Sequence, residues 1–389
     1  MASIARATRI AELICAFAAV VFAGLDDVPN EIWSLIFSFV WMVESPGSRK
    51  FAHARGRMAR VCRKWCQIAY AVPGIWRALS VDRFTTRDAV QAFVLHSAAQ
   101  RVCLGFSHPE SSLNPRAPAG LNSLLIAATT LGDVAYRWDA LEVKTVNTST
   151  LESMLSLLRT LKSPGIRRLC LTREGPQIAL SGENMYHELP SILGGVFSSL
   201  QTAELNGVPL SWATLSTAFC MRRLSISNLP PSSWPTCADY MCMLLASPVL
   251  QELELVNVGC STSPSTRGVL TSVPSLTSIR LYFAQQNVRQ SESLCSFLST
   301  LLFPALDVLD ITFSLAVLTL CLSGLHFRPR ELILAVALGA NVDVPLLLSS
   351  FSSVVTVDLR RCPPSFIRAL GNPRTGTSSG GCNTRFEGV

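Results

Sequence analysis

Only 15% of the 389 residues are charged, against about a quarter in an average soluble domain. Hydrophobic residues make up 49%, which excludes intrinsic disorder for most of the chain. The 22 glycines and 22 prolines are scattered, so collagen-like and low-complexity classes are excluded as well. Long apolar runs are also missing. The longest, Leu13 to Leu25, falls short of the about 18 residues a spanning helix needs. The stretch from Ile311 to Phe327 is broken by Thr312, Ser314, Thr319, Ser323, Gly324 and His326. No membrane span is expected.

Sites of chemistry are equally scarce. The sequence has no HExxH, GxSxG, GxGxxG or P-loop, each of which carries a specific catalytic or phosphate-binding geometry. The 13 cysteines contain no CxxC pair and no zinc-type spacing with histidine, so neither a metal nor another cofactor is expected. Most lie in apolar runs, as Cys170, Cys220, Cys295 and Cys321 do, where a reduced cysteine acts as a small hydrophobe. This favours a reducing compartment, cytoplasmic or nuclear or both. The five histidines do not cluster. The expected class is a binding protein and not an enzyme.

Acidic residues are absent from 45–81, which holds Arg49, Lys50, Arg55, Arg57, Arg60, Arg63, Lys64 and Arg77. The formal charge of +7 therefore resides in this one segment, the remainder being balanced. No aromatic residues interleave on its basic face, so a nucleic-acid groove is not expected. Arg6 and Arg9 followed by an apolar run to Ala23 have the layout of a secretory signal. The alternative is an amphipathic helix of Ile10, Leu13, Ile14, Phe17, Val20 and Val21, which the cysteine usage favours.

Asp26, Asp27, Pro29 and Glu31 make a good helix start. The helix that follows carries Ile32, Leu35, Ile36, Phe39 and Val40 on one stripe and Trp33, Phe37 and Trp41 on another. A helix apolar on both sides must be covered twice. A second helix is expected from about Arg57, with Met58, Val61, Cys62, Trp65, Ile68 and Ala69 at helical spacing. Pro73-Gly74 ends it, and Ile75 to Leu79 begins a third short element.

These residues resemble an F-box, closest to the fungal form with a long first loop. The resemblance rests on Leu25-x-x-Val28-Pro29-x-Glu31-Ile32-x-x-x-Ile36-Phe37, Val61-Cys62-Arg63-x-Trp65 and Ile75-Trp76-Arg77-x-Leu79. It departs from the usual pattern in having Val28 where leucine is common. The resemblance implies docking to a Skp-type adaptor and, through it, to a cullin RING ubiquitin ligase. Carried over, the adaptor-facing residues are Leu25, Pro29, Ile32, Ile36, Phe37, Val61, Trp65 and Trp76.

Further along, an apolar-x-x-apolar-x-apolar pattern recurs from Trp138/Leu141/Val143 through Ile166/Leu169/Leu171 to Val354/Val357/Leu359, at intervals of 21 to 34 residues. A weaker copy is Ala99/Val102/Leu104. Helix-like stretches lie between copies, at Leu151–Leu161, Ala238–Leu245, Ser291–Leu301 and Val344–Phe351. The region resembles the irregular leucine-rich repeats that follow many F-boxes, at the usual period of about 20–29 residues. Asparagine or cysteine three residues after the last apolar position is met only by Cys362, so no asparagine ladder is expected.

The expected fold is α/β, a three-helix F-box unit followed by a solenoid of parallel strands and helices. Its divisions are 1–24 (an apolar helix), 25–80 (the F-box), 81–370 (the repeats) and 371–389 (a Gly/Ser/Thr-rich disordered tail). A solenoid would present Arg168, Arg223, Glu252, Glu254, Arg280, Tyr282 and Asp310, with Glu331, Asp358 and Arg360, to a protein substrate. The implied role is target recognition in a Skp–cullin–F-box ligase. The alternatives are a repeat scaffold with a masked F-box-like unit, or a secreted or membrane repeat protein.

Overall fold

A computed structural model describes residues 28–43, 60–82, 85–108, 119–146, 148–174, 191–195, 197–261, 270–282, 293–294, 296–313, 329–336, 354–360 and 383–385. The expected helix of residues 1–24 and the stretch Val344–Phe351 lie outside them. The chain is mixed α/β and divides into two compact units, 1–175 with 192–194, and 176–191 with 195–389.

The first unit opens with helices α1 (Asn30–Val43) and α2 (Arg63–Ala71). The second helix starts later than its apolar spacing suggests. Cys62 is extended, at φ −158° and ψ 171°, and its sulfur accepts the Trp65 N–H, so Cys62 is the cap and not part of the helix. The expected third helix is instead a 3-10 turn, Pro73–Trp76, running into strand β1 (Ala78–Val81). Proline in the first position and a buried Ile75 and Trp76 make this a tight corner.

Strand β1 pairs in parallel with β2 (Val102–His108), β2 with β3 (Trp138–Thr145), and β3 with β4 (Arg168–Arg173). Between them run α3 (Arg87–His96), α4 (Ala119–Gly132) and α5 (Thr148–Thr160). One sheet face and the helix stripes bury each other: Leu104, Leu141 and Leu169 on the strands, Phe93, Leu131 and Leu158 on the helices.

In the second unit β5 (Thr202–Asn206), β6 (Arg223–Ser227), β7 (Glu252–Val256), β9 (Ser278–Tyr282), β11 (Val308–Phe313), β12 (Glu331–Val336) and β13 (Thr356–Arg360) pair in parallel in that order. Two short strands, β8 (Thr271–Ser272) and β10 (Leu301–Leu302), pair separately. The connections include α6 (Trp212–Leu215) and α7 (Cys237–Ala246). The register aligns Ala203, Leu224, Leu253, Ile279, Leu309, Leu332 and Val357 in one row. All seven are buried. These are the middle positions of the recurring apolar pattern, so its spacing marks strands stacked on a common core.

Six of these strands, β6, β7, β9, β11, β12 and β13, are entered the same way. Two consecutive N–H groups, such as those of Arg222 and Arg223, donate to one carbonyl on the preceding strand's entry, here that of Gln201. The same pair of bonds recurs at Gln251/Glu252, Thr277/Ser278, Asp307/Val308, Arg330/Glu331 and Val355/Thr356.

An asparagine ladder is present, which corrects the sequence expectation. Asn228 donates its side-chain amide to the Asn206 side-chain oxygen at 2.9 Å, and Asn257 donates to that of Asn228 at 2.8 Å. Asn228 and Asn257 both have φ 52°, and Gly207 stands at φ 66°. Their backbone N–H groups donate to the carbonyls of Val256, Tyr282 and Ser227 respectively. The left-handed turn that ends β5, β6 and β7 suits asparagine or glycine. It falls two residues after the last apolar strand position. The third residue, Val208, Leu229 or Val258, is buried.

Within the stretch expected to be a tail, Asn383–Arg385 forms strand β14 on β13. The unpaired edge of β13 has backbone groups to satisfy, and three residues of parallel pairing meet part of that need. The rest of 371–389 lies outside the described residues. Among the described residues no helix is long and apolar enough to cross a membrane.

Candidate functional site

Two surfaces carry the residues singled out by the sequence. The first is the helical unit at 28–82. Helix α1 turns Trp33 inward, 1% exposed, where its ring lies 4.6 Å from that of Trp65 on α2. Val28, Ile68, Ala69 and Ile75 complete this core. The Lys64 ammonium donates to the Val28 carbonyl at 2.9 Å, tying α2 to the start of α1. That lysine therefore braces the unit, while Arg60, Arg63 and Gln67 remain exposed as the solvated basic face.

Trp33 is covered on the inward side of α1, and the described side chains on the opposite side are not. Ile32 is 42% and Leu35 66% exposed, Pro29 is exposed beside them, and Ile36 is half-buried. Val61, 53% exposed, adds to the apolar surface of the unit from just before α2. Helical spacing places Ile32, Leu35 and Ile36 on one stripe. Single exposed apolar residues are ordinary, whereas several on one stripe mark an interaction surface. Leu35 belongs to this stripe but was not among the residues carried over from the resemblance. The signal for it, the i, i+3 relation to Ile32, was in the helix periodicity.

Of the eight carried-over positions, Pro29, Ile32, Ile36 and Val61 offer surface, and Trp65 is half-buried against Trp33. Leu25 lies outside the described residues, and Phe37 falls within α1. Trp76 is a correction. It is only 5% exposed, and its indole N–H donates to the Ala69 carbonyl at 2.9 Å. Its ring packs against Tyr70 and His96, at 5.2 and 4.9 Å between centroids. An indole with its polar edge satisfied and its faces covered holds α2 to α3 and has no surface to give a partner.

The second surface is the open face of the second unit's sheet. Along β5, β6 and β7, buried residues alternate with half-buried ones. The row Glu204, Ser225, Glu254, Arg280, Asp310, Ile333, Asp358 runs across the sheet in register, but Ile333 and Asp358 at its end are buried, so Asp358 is not presented as the sequence suggested. Arg223, Glu252 and Glu331 stand on the entry side of that row, and Tyr282 and Arg360 on the exit side. The Arg223 guanidinium reaches Glu252 at 3.8 Å and Glu254 at 3.5 Å. Arg360 donates to Asp358 at 2.8 Å. Burial, helped by the Asp358 and Glu254 carboxylates, pushes the Asp310 carboxyl above its ordinary value, and Arg360 and Arg280 work against that rise. Register thus brings together every candidate of the second unit. Arg168 lies on β4 of the first unit, exposed at the strand entry.

Among the described residues no group of three or more His, Cys, Asp or Glu is placed to hold a metal ion. The two surfaces differ in kind: one is apolar and helical, the other polar and set on the sheet.

The profile of the F-box-like family matches residues 25–82, the helical unit with the open α1 stripe. No curated protein matches the chain.

Proposed function

We propose that this protein is the target-recognition subunit of a Skp–cullin–F-box ubiquitin ligase. The observation that carries the proposal is the uncovered α1 stripe of Pro29, Ile32 and Leu35, on a unit that matches the F-box-like family. A stripe of this kind is what a helical interface buries. The adaptor would cover it, and Val61 with it, and link the chain to a cullin RING assembly.

The register and the recurring strand entries support reading residues 81–370 as an irregular leucine-rich-repeat solenoid, of the sort that follows fungal-type F-boxes. Its open face, with Arg223, Glu252, Glu254, Arg280, Tyr282 and Asp310, would take a protein target, and Arg168 is the candidate contact of the first unit. The mixed signs of these side chains suit a protein and not a nucleic acid. The chain would perform no chemical step. It would raise the local concentration of a target beside a ubiquitin-loaded enzyme, which is catalysis by proximity. The working compartment in this reading is the cytosol, the nucleus or both.

The test is co-elution of the full chain with a purified Skp-type adaptor on a sizing column. A one-to-one complex is the expected result. Separate elution of two folded proteins would remove the ligase reading and leave a repeat scaffold.

A further inference from the structure

We propose that Cys237 and Cys260 form a reactive dithiol site that closes to an intramolecular disulfide under mild oxidation. Both are thiols in this structure, and their sulfurs stand 2.7 Å apart. That is well inside the about 3.5–4.0 Å at which heavy atoms rest in ordinary contact. It is within an ångström of the about 2.05 Å of a disulfide bond.

Both cysteines are held in place from several directions. Cys237 is the first residue of α7, whose start is fixed by a capping box. Thr236 Oγ1 accepts the Asp239 N–H at 3.0 Å, and the Asp239 carboxylate accepts the Thr236 N–H at 2.8 Å and its hydroxyl at 2.7 Å. Cys260 sits in the loop that leaves β7. The Tyr240 hydroxyl donates to the Gly259 carbonyl at 3.3 Å, and the Ser293 hydroxyl donates to the Cys260 carbonyl at 3.0 Å. The Ser261 N–H donates to the Pro235 carbonyl at 3.1 Å. Burial pushes the Tyr240 hydroxyl well above its ordinary pKa, so it remains a donor. Gly259 lets the loop approach the Trp234 ring, which an added Cβ would meet at 2.4 Å.

Two groups fixed at reacting distance behave as if present at very high concentration. Exposure assigns the order of events, because Cys237 is half-buried and Cys260 is 5% exposed. With a peroxide as oxidant, the Cys237 thiol loses its proton and the thiolate attacks one peroxide oxygen. The O–O bond breaks, water leaves, and Cys237 becomes a sulfenic acid. The Cys260 sulfur then attacks the Cys237 sulfur; the S–S bond forms, the S–O bond breaks, and the Cys260 proton departs with the hydroxyl as a second water. Two thiols are oxidised and one peroxide is reduced. The bond would tie the start of α7 to the exit of β7, the strand that carries Glu252 and Glu254.

The experiment uses the reduced full chain, titrated with hydrogen peroxide, then quenched and alkylated in denaturant and mapped by peptide mass spectrometry without reduction. The expected product is a peptide joining Cys237 to Cys260, lighter than the dithiol by two hydrogens and restored by a dithiol reductant. It should accumulate at lower peroxide than any oxidation of the exposed Cys220 and Cys242. Separate alkylation of Cys237 and Cys260, at peroxide that already oxidises Cys220 and Cys242, would overturn the proposal. Cys237→Ser should leave Cys260 open to alkylation throughout; if that variant fails to fold, the wild-type map alone decides.

Discussion

Replacing Ile32 and Leu35 together with alanine removes most of the apolar surface that the described side chains of α1 hold out to solvent. Fully burying an aliphatic side chain is worth about 1.5–3 kcal/mol. Leu35 still has 66% of its surface to bury and Ile32 has 42%. Scaled by those fractions, and allowing for the methyl that alanine keeps, docking would lose about 1–3 kcal/mol. At 1.4 kcal/mol per tenfold, the adaptor Kd should rise by about 5- to 150-fold. Folding should hardly change, because surface substitutions usually stay within about 0.5 kcal/mol and alanine favours helix over isoleucine. Calorimetric titration with adaptor and a thermal melt on the same sample give both readings. An unchanged Kd with an unchanged melt would mean that the stripe is exposed without being used for docking. A lower Tm would point instead to a structural part for these side chains.

Trp76→Ala provides the contrast. Truncating a buried tryptophan costs about 3–5 kcal/mol, and the Ala69 carbonyl loses its donor, so urea unfolding should shift markedly to lower denaturant; an unshifted curve would contradict the inward placement. Asn228→Ala should cost about 3 kcal/mol, from two lost side-chain bonds and a left-handed backbone, while Asn228→Gly, which tolerates φ 52°, should cost about half that in the same assay. Gly259→Ala drives a methyl into the Trp234 ring and should destabilise by about 1–3 kcal/mol. Asp310 has a folded pKa above its unfolded one, so the folded state takes up its proton first. Its contribution to stability rises as pH falls through the raised value and is complete below the unfolded value. Asp310→Asn should therefore raise the melting temperature at neutral pH and abolish the gain on acidification, and equal melts across the range would exclude this.

Much of this was legible where side-chain periodicity decides the outcome. The two stripes of α1 were both in the sequence, and the fold turned Trp33 inward and left Ile32 and Leu35 outside. The apolar-x-x-apolar-x-apolar copies marked strands because their spacing is that of residues facing one side of a strand preceded by a buried turn. The weak copy at Ala99/Val102/Leu104 also proved to be a strand entry, at β2. The ladder was missed because its position is set by where a strand turns left-handed, and the hydrophobic period does not report that. Counting from the last leucine placed the polar rung where a buried Val208, Leu229 or Val258 sits. Trp76 was misplaced because its neighbours in sequence, Ile75 and Arg77, leave either orientation open. The choice is made by α2 and α3, through the Ala69 carbonyl and the rings of Tyr70 and His96. Likewise nothing in the spacing of Cys237 and Cys260, 23 residues apart, marks them as neighbours; only the return of the chain along β7 does so.

Hydrogen exchange of the full chain, with and without saturating Skp-type adaptor, decides whether α1 is the docking surface. The expected result is slowed exchange in α1 from residue 30 onward and at residues 61 and 62, with the strands β5 to β13 unchanged. Protection confined to the sheet, or a complete absence of protection with both proteins folded, would contradict it.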